Sequence, residues 1–182
     1  MSIEEPLTYF EDHYNPNNYI MDRESYSMAL DNIVVACIDV AVTYKGNLLI
    51  GKRIYHPQKS WWLIGGRMKT GETARFTASR HVIETIGLRL GQNDLKRYRY
   101  LLNFYGAWNK RAHPPISNGT HTHSSIYNLE LSEKECQSLV LVSEFSQIKW
   151  VKINEVSNSN FHPVIRAVAQ KLTDIQSINK TT

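Results

Sequence analysis

The period of the apolar positions changes several times along the chain, and each change marks an element. Asn32 to Thr43 (NIVVACIDVAVT) is mostly apolar and β-branched, which predicts a strand buried on both faces. Lys45-Gly46-Asn47 supplies turn residues, and Leu48 to Arg53 returns as the hairpin partner. A short strand over Trp61 to Ile64 leads into a glycine loop at Gly65-Gly66. From Thr73 to Ile86 the period becomes helical, with Ala74, Ala78, Val82 and Ile86 at steps of four. Gly87 falls where a left-handed C-terminal cap is expected. That stripe assigns residues 77, 80, 81, 84 and 85 to the other faces of the helix.

Two further strand-like runs, Tyr98 to Tyr105 and Thr122 to Leu131, flank a loop rich in proline, glycine and histidine at Asn109 to Thr120. Ser132-Glu133-Lys134-Glu135 reads as a capping box opening a short helix. Ile148 to Ile153 is one more strand, and Pro163 to Leu172 is a closing amphipathic helix with proline in its first turn. The expectation is an α+β architecture, a mixed sheet sandwiched between helices. Residues 1–30 read as an appended N-terminal arm, 31–173 as the domain, and 174–182 as a frayed C-terminal tail.

A chain of 182 residues holds one domain with a normal core. No apolar run approaches the roughly 20 residues that span a bilayer. The N-terminus lacks the basic-then-apolar order of a secretion signal. Cys37 and Cys136 stand far apart in no paired motif, so neither a disulfide framework nor a zinc knuckle is expected, and a cytoplasmic protein is the default. The net charge of +4 is mild, with basic residues at Lys96-Arg97-Arg99 and Lys110-Arg111. Without the interleaved aromatic and arginine pattern of an RNA-binding sheet, nucleic acid ranks well below a nucleotide.

The stretch from Gly66 to Leu88 (GRMKTGETARFTASRHVIETIGL) carries the candidate chemistry. Arg80 and Glu84 are four apart on the helix, as are His81 and Thr85, so each pair neighbours one another. The glycines before the helix let backbone approach a ligand closely. Such a loop and helix offer a backbone carbonyl from Gly65 or Gly66, the Glu84 carboxylate, and the guanidinium groups of Arg67 and Arg80. Oxygen donors of this kind suit Mg²⁺ bridging phosphate oxygens. Arginines neutralise charge developing on a leaving phosphate. Glu72 is read as a structural partner of Arg80 or a loop-end cap in preference to a catalytic group.

Through Gly66, Glu72, Arg80, Val82, Glu84, Gly87 and Leu88 the segment resembles the Nudix box, G-x5-E-x7-R-E-U-x-E-E-x-G-U with U aliphatic. Its surroundings are similar to the GDP-mannose mannosyl hydrolase branch at Ile38-Asp39, Gly51-Lys52-Arg53, Trp61-Trp62, Gly65-Gly66-Arg67, Phe104 to Trp108 and Thr122-His123. The resemblance covers roughly residues 33 to 153 and implies a Nudix fold. It also implies an Mg²⁺-dependent hydrolase of a nucleotide sugar, releasing sugar and nucleoside diphosphate by attack at the anomeric carbon. Asp39, Arg53, Arg67 and Arg80 would line the phosphate and sugar site, with Trp108 available to stack on base or sugar. A homodimer is common in such proteins.

Three positions depart from the pattern, the first being His81 in place of the glutamate after the box arginine, a glutamate that the branch typically lacks. Thr85 stands where the second glutamate of the E-E pair ligates metal, leaving Gly65, Glu84 and Glu144 as the expected metal ligands. Phe145 stands where the branch places its general-base histidine, leaving His123, His121 or Glu144 as candidates, with His123 favoured. Arg67, Glu84 and His123 are therefore the expected catalytic residues. A nucleotide-sugar binding module with impaired hydrolysis is the alternative, and P–O cleavage of another nucleoside diphosphate derivative is a third reading. Asp39 inside an apolar strand is costly to bury alone, which predicts a site or an arginine partner.

Overall fold

β1 (Val34–Tyr44) is the centre of the sheet because its apolar run is covered on both faces, with residues 38–43 all buried. The computed structural model describes Tyr9 and residues 20–142, 145–157 and 159–181. Lys45-Gly46 turns the chain into β2 (Asn47–Arg53), which pairs antiparallel with β1 at Thr43 and Leu48. β3 (Trp61–Trp62) pairs with β2, and β4 (Ile64–Arg67) runs antiparallel to β1 with Gly65 opposite Asp39. β6 (Thr120–Glu130) lies parallel to β1 from Val34 opposite His121 to Thr43 opposite Glu130. β5 (Arg99–Trp108) pairs antiparallel with β6, and β7 (Phe145–Lys152) with β2. Among the described residues seven strands join one mixed sheet.

Helix α1 (Arg23–Asn32) precedes β1. Helix α2 (Ala74–Ile86) begins at the Thr73 cap, whose hydroxyl accepts from the Phe76 amide at 3.3 Å. It ends at Gly87, where φ is 68° as the left-handed cap requires. A short α3 (Glu133–Gln137) opens on the expected capping box, and α4 (Ile153–Val156) leads to α5 (Pro163–Thr181). Paired residues on neighbouring strands share a face, and adjacent residues alternate. Ile38 and Gly66 face α2, whose His81 packs on Gly66. Cys37, Asp39 and Arg67 therefore face the other way, toward the aromatic cluster at the start of α5. Helices cover both faces, so the architecture is the expected α+β sandwich.

Several local expectations are corrected. α1 runs from the arm read over residues 1–30 into the domain, capped by Asp22 through the Glu24 and Ser25 amides, with its own Leu30 buried. The glycine pair continues β4 as strand, because Gly65 and Gly66 complete the ladder with β1. Thr77 and Thr85 lie on the buried side of α2 at 0% and 1% exposure, so its apolar stripe is wider than steps of four suggest. β5 runs on to Trp108, β7 begins at Phe145, and a 3₁₀ turn at Gln92–Arg97 precedes β5. The closing helix continues to Thr181 through the segment expected to fray. Among the described residues no helix is long and apolar enough to cross a membrane.

Candidate functional site

Arg80 is the hub of the loop that precedes α2. Its Nε donates to Glu72 Oε1 at 2.6 Å and its Nη2 to Glu72 Oε2 at 2.8 Å, a bidentate pair. The same Nη2 donates to the Arg67 carbonyl at 2.9 Å, and Nη1 donates to Glu84 Oε2 at 3.1 Å. Glu72 also accepts from the Lys69 amide at 2.9 Å and the Thr77 hydroxyl at 2.8 Å. Burial alone would raise the Glu72 carboxyl, but these donors, Arg80 foremost, hold it down at about 2. The two residues tie loop to helix, as read for Glu72 from sequence.

His81 lies one residue along the helix, and its Nε2–H donates to the Arg67 carbonyl at 3.1 Å. A methyl group on Gly66 would stand 2.8 Å from His81 Cε1, so glycine is what allows the imidazole this close. Burial, reinforced by the Arg80 charge, depresses the His81 pKa and keeps the ring neutral. The Glu84 side chain, 49% exposed, lies 3.9 Å from His81 Nδ1.

An Mg²⁺ ion asks for several hard oxygen donors arranged around it. The donors among the described residues do not by themselves fit a carboxylate-held ion. Glu84 is a single carboxylate already accepting from Arg80, and Thr85 is enclosed in the core. The Arg67 carbonyl carries both Arg80 and His81, and Gly65 is buried within β4. Among the described residues no three His, Cys, Asp or Glu side chains are grouped to hold a metal. Glu144, the remaining expected ligand, lies outside the described residues.

The opposite face of the sheet gathers a second set. Asp39 is 4% exposed, and its Oδ1 accepts from Trp62 Nε1 at 3.3 Å. Trp62 meets Phe104 at 6.0 Å, Trp108 at 5.7 Å and His162 at 5.0 Å between ring centroids, edge to face. Trp108 is half-buried and donates to the Thr122 hydroxyl at 3.1 Å. Cys37, on the same face, has its thiol pushed up to about 12 by burial and then by the Asp39 charge. The charges of Arg67 and Arg53 both act against that rise. Arg53 Nε is buried and has no hydrogen-bond partner among the described residues.

Phe145 packs on Gly51, where a methyl group would stand 2.6 Å from its Cγ, and it is 5% exposed. A hydrocarbon ring thus fills the place of the expected base. His121 and His123 do share a face, but it is the other one, since His123 is in register with Ala36 and Arg67 with Cys37. His123 stacks on Tyr105 at 4.7 Å, and His121 meets the same ring at 6.3 Å. The three expected catalytic residues are therefore not brought together: Arg67 projects from one face and His123 from the other.

Four residues beside the site were not read from sequence as parts of it. His162 caps α5, its Nδ1 accepting from the Val164 amide at 3.3 Å. Trp62 is the partner of Asp39, and Tyr26 lies under the Arg67 guanidinium at 4.4 Å. Arg111, noted from sequence only as a basic residue, is 1% exposed and bonded to Asp31 at 2.6 Å. Arg97 is likewise paired bidentately with Glu135 at 2.7 and 2.9 Å, so one arginine of each basic cluster is tied into an ion pair. The available signals were Asp22 as a helix cap and the lone Asp31 facing the basic loop.

A family model described as NUDIX domain matches residues 33–172. A MutT NUDIX hydrolase from Burkholderia pseudomallei is similar in structure at 18% identity and TM-score 0.59, covering 77% of this chain and 98% of that one. The NUDIX domain of Shewanella oneidensis NrtR, solved with ADP ribose, aligns at 15% identity and TM-score 0.58 over 86% of this chain and 99% of that one. A MutT/nudix family protein from Enterococcus faecalis aligns at 17% identity and TM-score 0.51 over 65% of this chain, which spans only 44% of that longer chain. At these identities the likeness concerns the fold.

Proposed function

The chain belongs to the NUDIX domain family, and from that premise we propose that it binds the diphosphate of a nucleotide sugar, of GDP-mannose type, with hydrolysis reduced to a low level. The observation that supports the binding is the buried Nε of Arg53, which has no hydrogen-bond partner among the described residues, together with the exposed Arg67 on the face of the enclosed Asp39. A buried guanidinium nitrogen without an acceptor is costly, and a phosphate oxygen is the acceptor its fork geometry suits. The half-buried Trp108 and His162 rings beside the buried Trp62 and Asp39 pair offer flat apolar surfaces for the sugar or base. The NrtR domain solved with ADP ribose is a relative in fold that holds a ligand of this class.

The reading of reduced hydrolysis draws on the donor set around Glu84, where among the described residues one arginine-paired carboxylate stands without a metal-binding cluster. The hydrolase reading, with Gly65, Glu84 and Glu144 holding Mg²⁺, draws on the exposure of the Glu84 carboxylate. Glu84→Gln separates the two, because binding survives it in the first reading while Mg²⁺-dependent turnover is lost in the second. Calorimetry with GDP-mannose tests the binding itself. Arg53→Ala and Arg67→Ala each weaken it at least tenfold if these guanidinium groups meet the diphosphate, and unchanged affinity in both removes the assignment. The homodimer suggested by the branch is tested separately by sedimentation of the full chain.

A further inference from the structure

We propose that Tyr26, on a helix that precedes the family match, is a positioning residue for Arg67, which makes α1 part of the diphosphate site. The inference rests on the reading above that Arg67 meets the diphosphate. The family match begins at residue 33, and α1 spans Arg23–Asn32, so this helix is an addition to the matched domain. It is fixed by a desolvated cation. Arg111 donates from Nη1 to Asp31 at 2.6 Å, from Nη2 to the Ser27 hydroxyl at 2.7 Å, and from Nε to the His113 carbonyl at 3.0 Å. The Ser27 hydroxyl in turn donates to the Pro114 carbonyl at 2.6 Å, and Asn118 Nδ2 donates to Asp31 at 3.1 Å. An arginine this enclosed holds its partners in one arrangement, because every alternative strands a buried charge.

That arrangement sets the Tyr26 ring. His113 meets its edge at 4.7 Å between centroids, and the ring face carries the Arg67 guanidinium at 4.4 Å. Arg67 is an exposed side chain at the end of β4, where several rotatable bonds would otherwise scatter its head group. Stacking engages only the flat face of a guanidinium. Its N–H donors lie in the plane and stay available for a bidentate contact to phosphate. The ring thus confines Arg67, a residue on the sheet face that holds Cys37 and Asp39, by its flat face.

The test is calorimetric titration of GDP-mannose into the full chain and into Tyr26→Leu, Tyr26→Phe, Arg67→Ala and the Tyr26→Leu/Arg67→Ala double variant. Tyr26→Met replaces the leucine variant if melting shows the latter unfolded. Loss of the ring is expected to weaken binding roughly 3- to 30-fold, the range of a cation–π contact between exposed and desolvated limits. Tyr26→Phe keeps the ring but loses the hydroxyl's hydrogen bond to Arg67, so its loss should be smaller than that of Tyr26→Leu. In the Arg67→Ala background, removing Tyr26 changes nothing further, because the residue acts through Arg67. Wild-type affinity in Tyr26→Leu, with Arg67→Ala weakened, overturns the inference alone. Equal losses in both backgrounds also overturn it, since Tyr26 would then act without Arg67. No binding by the wild type, or no effect of Arg67→Ala, removes the underlying reading and the inference with it.

Discussion

Replacing Glu72 by glutamine tests whether the loop before α2 is held by charge. The side chain is 9% exposed and accepts four hydrogen bonds, two from Arg80 and one each from the Lys69 amide and the Thr77 hydroxyl. A carboxyl lowered from 4.5 to about 2 corresponds at face value to about 3 kcal/mol. Solvent screening at this surface loop reduces that to about 1–2 kcal/mol. For a chain of this size the loss lowers the melting temperature by roughly 2–8 °C at pH 7. The sign of the pH dependence is fixed. A carboxyl whose folded pKa is depressed contributes fully above its unfolded value near 4.5, and the contribution fades as pH falls toward about 2. Urea unfolding of wild type and Glu72→Gln, followed by circular dichroism from pH 7 to pH 3, should give a stability gap that narrows below pH 4.5. A gap of constant size, or none at pH 7, refutes the charge argument.

Other substitutions probe neighbouring parts of the account. Gly66→Ala drives a methyl group against His81 and should cost about 1–3 kcal/mol in denaturant melts; adding His81→Ala should recover part of that loss, and strict additivity would contradict the contact. The folded His81 pKa is depressed by burial, so the unfolded chain takes up the proton first and stability declines as pH drops below 6.5. His81→Gln should make that decline shallower between pH 6.5 and 5, and an identical slope would show that the ring is not buried neutral. Arg111→Met removes the tie between α1 and the loop at 109–119, and should lower the melting temperature by about 5 °C or more. Proteolysis that still spares α1 in that variant would argue against the tie.

The fold was legible where local rules and tertiary context agree. The run from Asn32 to Thr43 reads as a buried strand because it is one, and Gly87 reads as a left-handed cap because no side chain suits that backbone. The helix stripe was drawn too narrow because threonine is polar by type, yet Thr77 and Thr85 are small enough to pack into the core. Helix α1 was hidden by its polar composition, since what ties it down is an arginine remote in sequence. At the site, spacing along α2 conveyed the link between Arg80 and Glu84, which are one turn apart. It could not convey which face of the sheet His123 and Arg67 project from, because that depends on register between distant strands. The partnerships of Asp39 with Trp62, and of Arg67 with Tyr26, likewise join segments far apart in sequence.

Incubation of the full chain with GDP-mannose, with Mg²⁺ added or replaced by EDTA, addresses the central claim most directly when binding is read by calorimetry and products by anion-exchange chromatography and phosphorus NMR. The account predicts saturable binding that persists in EDTA, with turnover far below the ~1 s⁻¹ at the low end of ordinary enzymes. Rapid Mg²⁺-dependent release of GDP and free sugar, or of GMP and sugar phosphate, would contradict it.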